Sequence, residues 1–191
     1  AYTSVAEIPG EVDLAIIVVN QKFVLDTIDQ CHQKGVGGLV VITAGFKETG
    51  KEGAEAEKQL LAKVRASGMR CGGPNCSGVV NTHPAVRLDG NFAETLPERG
   101  HIAFVSQSGA LGGGILNILK DLNLGFSQFI SIGNQADVNA ETAMEYWEND
   151  EDVDQILLYM ESIANPANFR KLATRISKKK PVLALKAGRS A

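Results

Sequence analysis

Residues Ile102 to Gly109 read IAFVSQSG, an unalternating apolar run followed directly by a small polar turn. Such a run is typical of a strand that is covered on both faces of a sheet. We predict a helix over the next segment, Ala110 to Leu122. A strand that enters a helix through a tight turn is the repeating unit of parallel α/β sheets, so these residues predict one βα unit.

The alternation of strands and helices continues along the rest of the chain. We predict the elements strand Phe126–Ile132, helix Ala140–Trp147, strand Ile156–Met160, helix Ala167–Ser177 and strand Val182–Lys186. Together with the first unit they form a βα array of about ninety residues, which is the size of a small domain.

A second array precedes this one. Its predicted elements are strand Leu14–Val19, helix Lys22–Lys34, strand Gly38–Thr43, helix Glu52–Ala66 and strand Met69–Cys71. Between the arrays the periodicity fades into a stretch with Pro84, Pro97 and the pair Asp89–Gly90, which favours a connection. We therefore predict an α/β chain in three parts, with a domain over 1–81, a connection over 82–98 and a second domain over 99–191.

The composition excludes several classes of protein. The chain has 191 residues with 19 Lys+Arg against 22 Asp+Glu, and this balance leaves no broad cationic face for nucleic acid. Three cysteines do not make a disulfide framework, and no metal-ligand pair has CxxC or HxxxH spacing. No apolar run approaches the roughly 20 residues that cross a bilayer. We expect a cytoplasmic protein with no nucleic-acid or membrane partner and no metal-ligating residues in this chain.

Ligands of open α/β sheets bind at the carboxyl ends of the strands, so the loops after the strands are the candidate sites. The turn Ser106-Gln107-Ser108-Gly109 opens a helix, and free N–H groups, two hydroxyls and the positive end of the helix dipole suit an anion such as phosphate. A plain N-cap by Ser106 or Ser108 is the alternative. Three glycines, Gly112 to Gly114, weaken a helix and favour the close approach of another group. No Gly-Lys-Ser/Thr is present, so this is not a Walker A loop.

Other post-strand loops carry single reactive side chains. Cys76 could be a nucleophile, but a small packing residue is the stronger interpretation because no base is fixed beside it by the sequence. Glu161 brings a carboxylate to the end of the strand that closes with Met160, where it could equally be solvated or cap a helix. Asp137 could help to start the helix near Ala140.

Five strings in these loops resemble one family. They are GPNCSG at Gly73–Gly78, FVSQSGALG at Phe104–Gly112, GNQAD at Gly133–Asp137, YMESI at Tyr159–Ile163 and KPVLALKAGRS at Lys180–Ser190. They are similar to the NDP-forming acyl-CoA synthetases, the superfamily of the succinyl-CoA synthetase α subunit, and most of all to the ADP-forming acetate-CoA ligases. The resemblance covers essentially the whole chain, and similar sequences occur fused to a lysine acetyltransferase domain.

The resemblance implies the fold and the reaction. It implies part of a Rossmann-like CoA-binding domain followed by a flavodoxin-like ligase domain. Family members interconvert acyl-CoA, ADP and phosphate with free acid, CoA and ATP, through an acyl phosphate and a phosphohistidine. The implied ligands are CoA and ADP or ATP with Mg²⁺, the nucleotide being bound largely outside these residues. The implied partners are a carboxylic acid, an acyl-CoA and an ATP-grasp domain or subunit, in a homo- or hetero-oligomer.

The resemblance also implies roles for individual residues. Those along CoA would be Asn20, Thr43, Ala44 and Gly45, with Asn75 and Cys76 near its thiol end. Those that hold the transferring phosphate would be Ser106, Gln107, Ser108 and Gly109, in agreement with the anion site inferred from the residues. Glu161 would orient and stabilise the phosphohistidine through a charge-assisted hydrogen bond.

The chain also departs from the family pattern. The family's glycine-rich CoA loop would precede Leu14, and its phosphorylated histidine, in a Ser-His-Thr-Gly context, would follow Ala191. Gly113 stands where succinyl-specific relatives carry an aromatic residue, so succinate is not implied. We expect these 191 residues alone to have no ligase turnover.

The sequence leaves two functional hypotheses open and disfavours a third. The first is part of an acid-CoA ligase, and the second is a CoA- or acyl-CoA-sensing module that regulates an acetyltransferase and has no ligase activity. A nicotinamide-dependent dehydrogenase is disfavoured because no GxGxxG follows a strand with an acidic residue beyond it.

Overall fold

A computed structural model describes residues 1–92 and 97–188 of the chain. These residues fold as two compact units. The first comprises Ala1–Cys76 together with Asn134–Val138, and the second comprises Ser77–Gly133 and the chain from Asn139 onwards. The end of the KPVLALKAGRS string and part of the predicted connection lie outside the described residues.

The first unit is a three-stranded parallel sheet with two crossover helices. Its elements are β1 (Leu14–Ile17), α1 (Gln21–Lys34), β2 (Gly38–Val41), α2 (Lys51–Ser67) and β3 (Arg70–Gly72), in the strand order β1-β2-β3. Short 3-10 helices cover Val5–Glu7 and Lys47–Thr49. All five predicted elements are present, with ends that differ by a few residues at most.

Helical spacing of apolar residues builds the core of the first unit. Val24, Ile28 and Cys31 lie one turn apart along α1 and are fully buried. The helix begins at the N-cap Asn20 and ends at Gly35, which takes a left-handed conformation with φ of 83°. Both ends of this helix are therefore encoded locally.

The second unit is a six-stranded mixed sheet. Its elements are β4 (Gly78–Asn81), β5 (Leu88–Asn91), β6 (Arg99–Ser106), α3 (Gly109–Asp121), β7 (Phe126–Ser131), α4 (Ala140–Trp147), β8 (Gln155–Met160), α5 (Pro166–Ile176) and β9 (Val182–Lys186). The strand order is β5-β4-β7-β6-β8-β9. The strands β7, β6, β8 and β9 are parallel, whereas β4 runs antiparallel to β5 and to β7. The predicted α/β class is confirmed.

The strands β4 and β5 are absent from the prediction, which assigned 78–81 to the first domain and 82–98 to a connection. The four residues of β5 read LDGN and contain one apolar side chain, so the sequence carries little strand signal there. β5 pairs with β4, and β4 pairs in turn with β7, where Val80 lies opposite Phe129. This pairing between strands stabilises β4 and β5 where the local sequence carries little strand signal. Part of the stretch predicted as a connection therefore belongs to the second sheet.

The two faces of this sheet bury different helices. Met144, Trp147, Leu172 and Ile176 of α4 and α5 belong to one buried cluster, and Leu116 of α3 belongs to another with Phe104 and Phe129. No helix among the described residues is long and apolar enough to cross a membrane.

The three consecutive glycines of α3, Gly112 to Gly114, lie in different surroundings. A Cβ on Gly112 would lie 2.8 Å from the ring of Phe129, so a larger residue has no room there. A Cβ on Gly113 or Gly114 would meet no atom of the described residues within 4 Å. The close approach predicted for this stretch thus holds at one position, and the approaching group is a core phenylalanine.

Candidate functional site

The first unit brings the loops after its three strands together. The hydroxyl of Thr43, after β2, donates to the carbonyl of Val19, after β1, at 2.7 Å. The N–H of Asn75, after β3, donates to the carbonyl of Thr43 at 3.0 Å. Parallel strands end at the same edge of a sheet, and these two hydrogen bonds join the loops at that edge.

The residues predicted to lie along CoA differ in their exposure and in their hydrogen bonds. Asn20 is exposed and its Oδ1 accepts from the N–H of Lys22 at 3.2 Å, so it caps α1. Ala44 is exposed. Gly45 has φ of 106°, and its N–H donates to Oε1 of Glu48 at 2.6 Å. The glycine is required by this backbone conformation, and its N–H is already satisfied.

Cys76 lies beneath the surface. It is 6% exposed, and its Sγ donates to the carbonyl of Val41 at 3.4 Å. The neighbouring thiol of Cys71 has a pKa raised to about 12 by burial, with smaller contributions from Cys76 and Asp137. Cys76 is buried and its thiol is hydrogen-bonded to a backbone carbonyl, so the geometry favours a packing role for Cys76 over a nucleophilic one.

A partly buried polar cluster that the sequence did not reveal lies beside the loop after β2. We name it the Asn134 cluster, and its members are Lys47, Glu48, Glu57 and Asn134. The Nδ2 of Asn134 donates to Oε2 of Glu48 at 2.6 Å and to Oε2 of Glu57 at 2.7 Å. Lys47 forms an ion pair with Glu57 at 3.3 Å and also donates to the carbonyl of Asn134. The cluster therefore joins the loop after β2, the helix α2 and the segment Asn134–Val138.

The pKa of Glu48 lies below its ordinary value of 4.5. Burial raises this pKa, but hydrogen bonds from the Asn134 side chain and from the N–H groups of Gly45 and Phe46 outweigh burial and lower it. The Glu48 carboxylate is therefore ionised at neutral pH and holds the loop as an acceptor.

A Glu48→Gln variant tests this contribution through the pH dependence of stability. Because the pKa of Glu48 is lower in the folded state, its stabilisation is present above the unfolded pKa and is lost as pH falls through the folded pKa. We expect the variant to lower the free energy of unfolding at pH 7 by about 1 kcal/mol or less, since exposed charges are screened. The deficit should shrink in acid, as followed by denaturant unfolding from pH 7 to 3. A deficit that is independent of pH contradicts the assignment, and Glu55→Gln on the exposed side of α2 is the control.

In the second unit, the turn Ser106–Gly109 begins α3. The buried hydroxyl of Ser106 donates to the carbonyl of Ser108 at 2.7 Å, and Oγ of Ser108 accepts from the N–H of Leu111 at 3.4 Å. Ser108 is thus the N-cap of α3. Helix geometry leaves the N–H groups of Gly109 and Ala110 without intrahelical acceptors, so a cap and free donors coexist in this turn.

Gln107 links this turn to the end of the neighbouring strand β8. Its Oε1 accepts from the N–H groups of Glu161 at 2.8 Å and Ser162 at 2.9 Å, and its Nε2 donates to Oγ of Ser162 at 2.9 Å. Glu161 itself is exposed. The amide of Gln107 therefore fixes the backbone that carries Glu161, and it brings two of the predicted site elements together.

Ser77 is a second residue that the sequence analysis missed. It is 9% exposed, and its Oγ is the one buried side-chain polar atom without a hydrogen-bond partner among the described residues. A Cβ on Gly109 would lie 3.1 Å from Cβ of Ser77 and 3.5 Å from its Oγ. An unpaired buried hydroxyl therefore faces the first residue of α3, and its only sequence signal was its place in the GPNCSG string.

The chain has three histidines, and none of them is part of this turn. His83 pairs with Asp152 at 3.2 Å and Nδ1 of His101 contacts the carbonyl of Asp152 at 3.2 Å, at the amino ends of β6 and β8. His32 is exposed on α1 of the first unit. No described histidine lies at the carboxyl end of β6 or β8.

Asp137 does not start α4, as the sequence analysis had suggested. Its carboxylate accepts from Nε of Arg70 at 2.8 Å and from the N–H of Cys71 at 2.9 Å. Asn139 is the N-cap of α4 instead.

Comparison with known proteins gives the family. Residues 1–82 match a family described as CoA binding domains, and residues 99–191 match one described as the succinyl-CoA ligase like flavodoxin domain. Over 190 residues the chain is 51% identical to the Pyrococcus furiosus acetate–CoA ligase (ADP-forming) II subunit alpha. The chain belongs to the NDP-forming acyl-CoA synthetase family. The prediction of a CoA-binding domain followed by a flavodoxin-like domain is confirmed.

Solved structures of similar sequence share this fold. The Pyrococcus horikoshii OT3 protein PH0766 matches with a TM-score of 0.94 and 51% identity, over 100% of this chain and 43% of that one. The Candidatus Korarchaeum cryptofilum dinucleotide forming acetyl-coenzyme A synthetase 1, in complex with phosphate and ADP, matches with a TM-score of 0.93 and 37% identity, over 99% and 40%. The chain spans 41% of the length of the Pyrococcus furiosus subunit.

Proposed function

We propose that the complete protein is an NDP-forming acid-CoA ligase. It interconverts acyl-CoA, ADP and phosphate with free acid, CoA and ATP. The observation that carries this proposal is the buried hydroxyl of Ser77, which lies beside the first residue of α3 and has no hydrogen-bond partner among the described residues. A buried hydroxyl without a partner is costly, and a ligand that accepts its hydrogen bond relieves that cost.

The donors around the start of α3 suit a phosphoryl group. The N–H groups of Gly109 and Ala110 are oriented along the helix axis, and the helix dipole adds positive potential there. Oγ of Ser108 accepts from Leu111 and keeps its own proton to donate. With Ser77 these groups supply neutral donors on more than one side of an anion. Ser106 and Gln107 shape the turn through their internal hydrogen bonds.

Glu161 complements this anion site. A carboxylate beside a phosphate site would repel the phosphate unless a cationic group lies between them. A histidine that accepts and passes on the phosphoryl group meets this requirement, because Glu161 can accept a hydrogen bond from its second ring nitrogen. We propose that the phosphoryl group moves from acyl phosphate to this histidine, which releases the free acid, and then from the histidine to ADP. The histidine, the nucleotide with Mg²⁺ and an ATP-grasp domain or subunit belong to the rest of the protein.

The first unit fits a role in CoA binding. The side chains of Thr43, Asn75 and Cys76 are engaged within the unit. We propose that these residues shape the loops, while the exposed residues Asn20 and Ala44 and the neighbouring backbone lie along CoA. Bound CoA supplies the thiol that takes or releases the acyl group. The named relatives are ligases, and no observation favours the acyl-CoA-sensing alternative.

Ser77→Ala in the full-length protein tests the anion site. Loss of one hydrogen bond to a charged ligand costs roughly 1.5–3 kcal/mol, so we expect the KM for phosphate to rise by about tenfold or more in ATP formation from acetyl-CoA, ADP and phosphate. The melting temperature should stay level or rise, because the variant removes an unsatisfied buried hydroxyl. Ser177→Ala, at the end of α5, is the control.

Two outcomes contradict the proposal at different levels. An unchanged KM for phosphate in Ser77→Ala removes Ser77 from the site. Absence of ATP formation and of phosphoenzyme in the wild-type full-length protein, with several carboxylic acids tried, overturns the ligase function itself.

A further inference from the structure

We propose that Asn134 is a positioning residue for CoA, which holds the loop after β2 and the turn after β3 in their binding arrangement without touching CoA. The inference rests on the proposed function, in which these loops bind CoA.

The side chain of Asn134 is fully used. Both N–H groups of its amide are directed at carboxylates, at 2.6 Å from Glu48 and 2.7 Å from Glu57, and its Oδ1 accepts from Nδ2 of Asn75 at 3.2 Å. The residue is 6% exposed. A buried amide with donors and acceptor all satisfied adopts one orientation, so it can fix the groups around it.

Two of these partners, Glu48 and Asn75, lead to loops proposed to bind CoA. The second oxygen of Glu48 accepts from the N–H groups of Gly45 at 2.6 Å and Phe46 at 3.1 Å. Asn75 donates from its backbone to the carbonyl of Thr43 at 3.0 Å. Asn134 therefore reaches the peptide groups at Thr43 and Gly45 from two directions, through Glu48 and through Asn75.

The charges explain why an amide occupies this position. Glu48 and Glu57 present two carboxylates to one side chain, and Lys47 pairs with Glu57 at 3.3 Å. An amide can donate to both carboxylates, whereas a carboxylate at the same position would add a third negative charge and no donor. The position therefore discriminates between asparagine and its isostere aspartate.

The backbone of this segment is held independently of the side chain. The N–H of Asn134 donates to the carbonyl of Pro74 at 2.9 Å, and the N–H of Ala136 donates to the carbonyl of Gly73 at 3.1 Å. A change of side chain at Asn134 therefore leaves these anchors in place and acts on the loop through Glu48, Glu57 and Asn75.

The test compares Asn134→Ala and Asn134→Asp with wild type in the full-length protein. We expect the KM for CoA to rise by about tenfold in Asn134→Ala, in line with the loss of hydrogen bonds to charged groups, and further in Asn134→Asp. The KM for phosphate and the amount of phosphoenzyme formed from labelled ATP should stay within about twofold of wild type, since small changes are expected away from a lost contact. Glu55→Gln on α2 is the matched control, and thermal unfolding checks that each variant is folded.

A merely structural role would change the KM values for CoA and phosphate together, and that result overturns the inference. Equal CoA affinity in wild type and Asn134→Ala, measured by calorimetry, overturns it as well and leaves the ligase proposal standing. If the wild-type protein itself binds no CoA, the proposed function fails. If Asn134→Ala does not fold, Glu48→Gln is the second variant. It changes an exposed side chain and breaks the same connection to Gly45. It must then show the same rise in the KM for CoA.

Discussion

The complete protein carrying Glu161→Gln is expected to form little phosphoenzyme when it is incubated with γ-labelled ATP. Glutamine keeps the shape of the side chain but loses the charge that would stabilise a protonated or phosphorylated imidazole. A charge-assisted hydrogen bond contributes roughly 1.5–3 kcal/mol, so the level should fall by about 10- to 100-fold. Because Gln107 holds the backbone N–H of Glu161 at 2.8 Å, the substitution should leave the loop in place.

Glu145→Gln provides the control for this experiment. Glu145 is exposed on α4 of the same unit and lies outside the proposed site, so its phosphoenzyme should be at the wild-type level. A normal level in Glu161→Gln as well would remove Glu161 from phosphoryl transfer.

The second large effect is expected from Gly53→Ala, which should severely destabilise the first unit. A Cβ at Gly53 would lie 1.9 Å from the carbonyl oxygen of Phe46 and 2.3 Å from Oγ1 of Thr49. The same carbonyl accepts from the N–H and the hydroxyl of Thr49 at 2.9 and 2.8 Å, so it cannot move without losing these bonds. We expect a loss of about 3 kcal/mol in the free energy of unfolding, at the upper end of the cost of overpacking.

Gly114→Ala should have the opposite effect. Gly114 lies within α3, and in the described part of the chain no atom lies within 4 Å of a Cβ placed there. Alanine is preferred over glycine in a helix by about 1 kcal/mol, so this variant should be more stable than wild type. Denaturant unfolding measures the free energy of unfolding of Gly53→Ala and Gly114→Ala. Equal changes in the two variants would show that the close contact at Gly53 is absent.

The elements with a strong local pattern could be predicted. The helix α1 shows its apolar residues at helical spacing between a capping Asn20 and a terminal Gly35, so sequence and structure agree on it. The strand β6 contains an apolar run that is buried on both faces by clusters on either side of the sheet. Such elements are determined by periodicity and by residues at their ends.

Only part of the candidate site could be predicted from local sequence patterns. The turn Ser106–Gly109 could be predicted because it follows a strand and opens a helix, and both signals are local. Ser77 and Asn134 could not be singled out, because Ser77 matters through its place beside Gly109 and Asn134 through partners far away in the sequence. Asn134 lies 77 residues from Glu57, and no periodicity relates the two positions.

The sequence by itself determined the alternating strands and helices, the ends of the helices and the loops in which a ligand would bind. Local periodicity and capping determine these features, and they require only neighbours along the chain. The tertiary structure alone decided that β4 and β5 join the second sheet and that Asn134 bridges two carboxylates. It also decided that Ser77 lies beside α3 without a side-chain partner among the residues the structure describes. Those outcomes depend on backbone pairing and on buried polar groups finding distant partners, which the fold must first bring together.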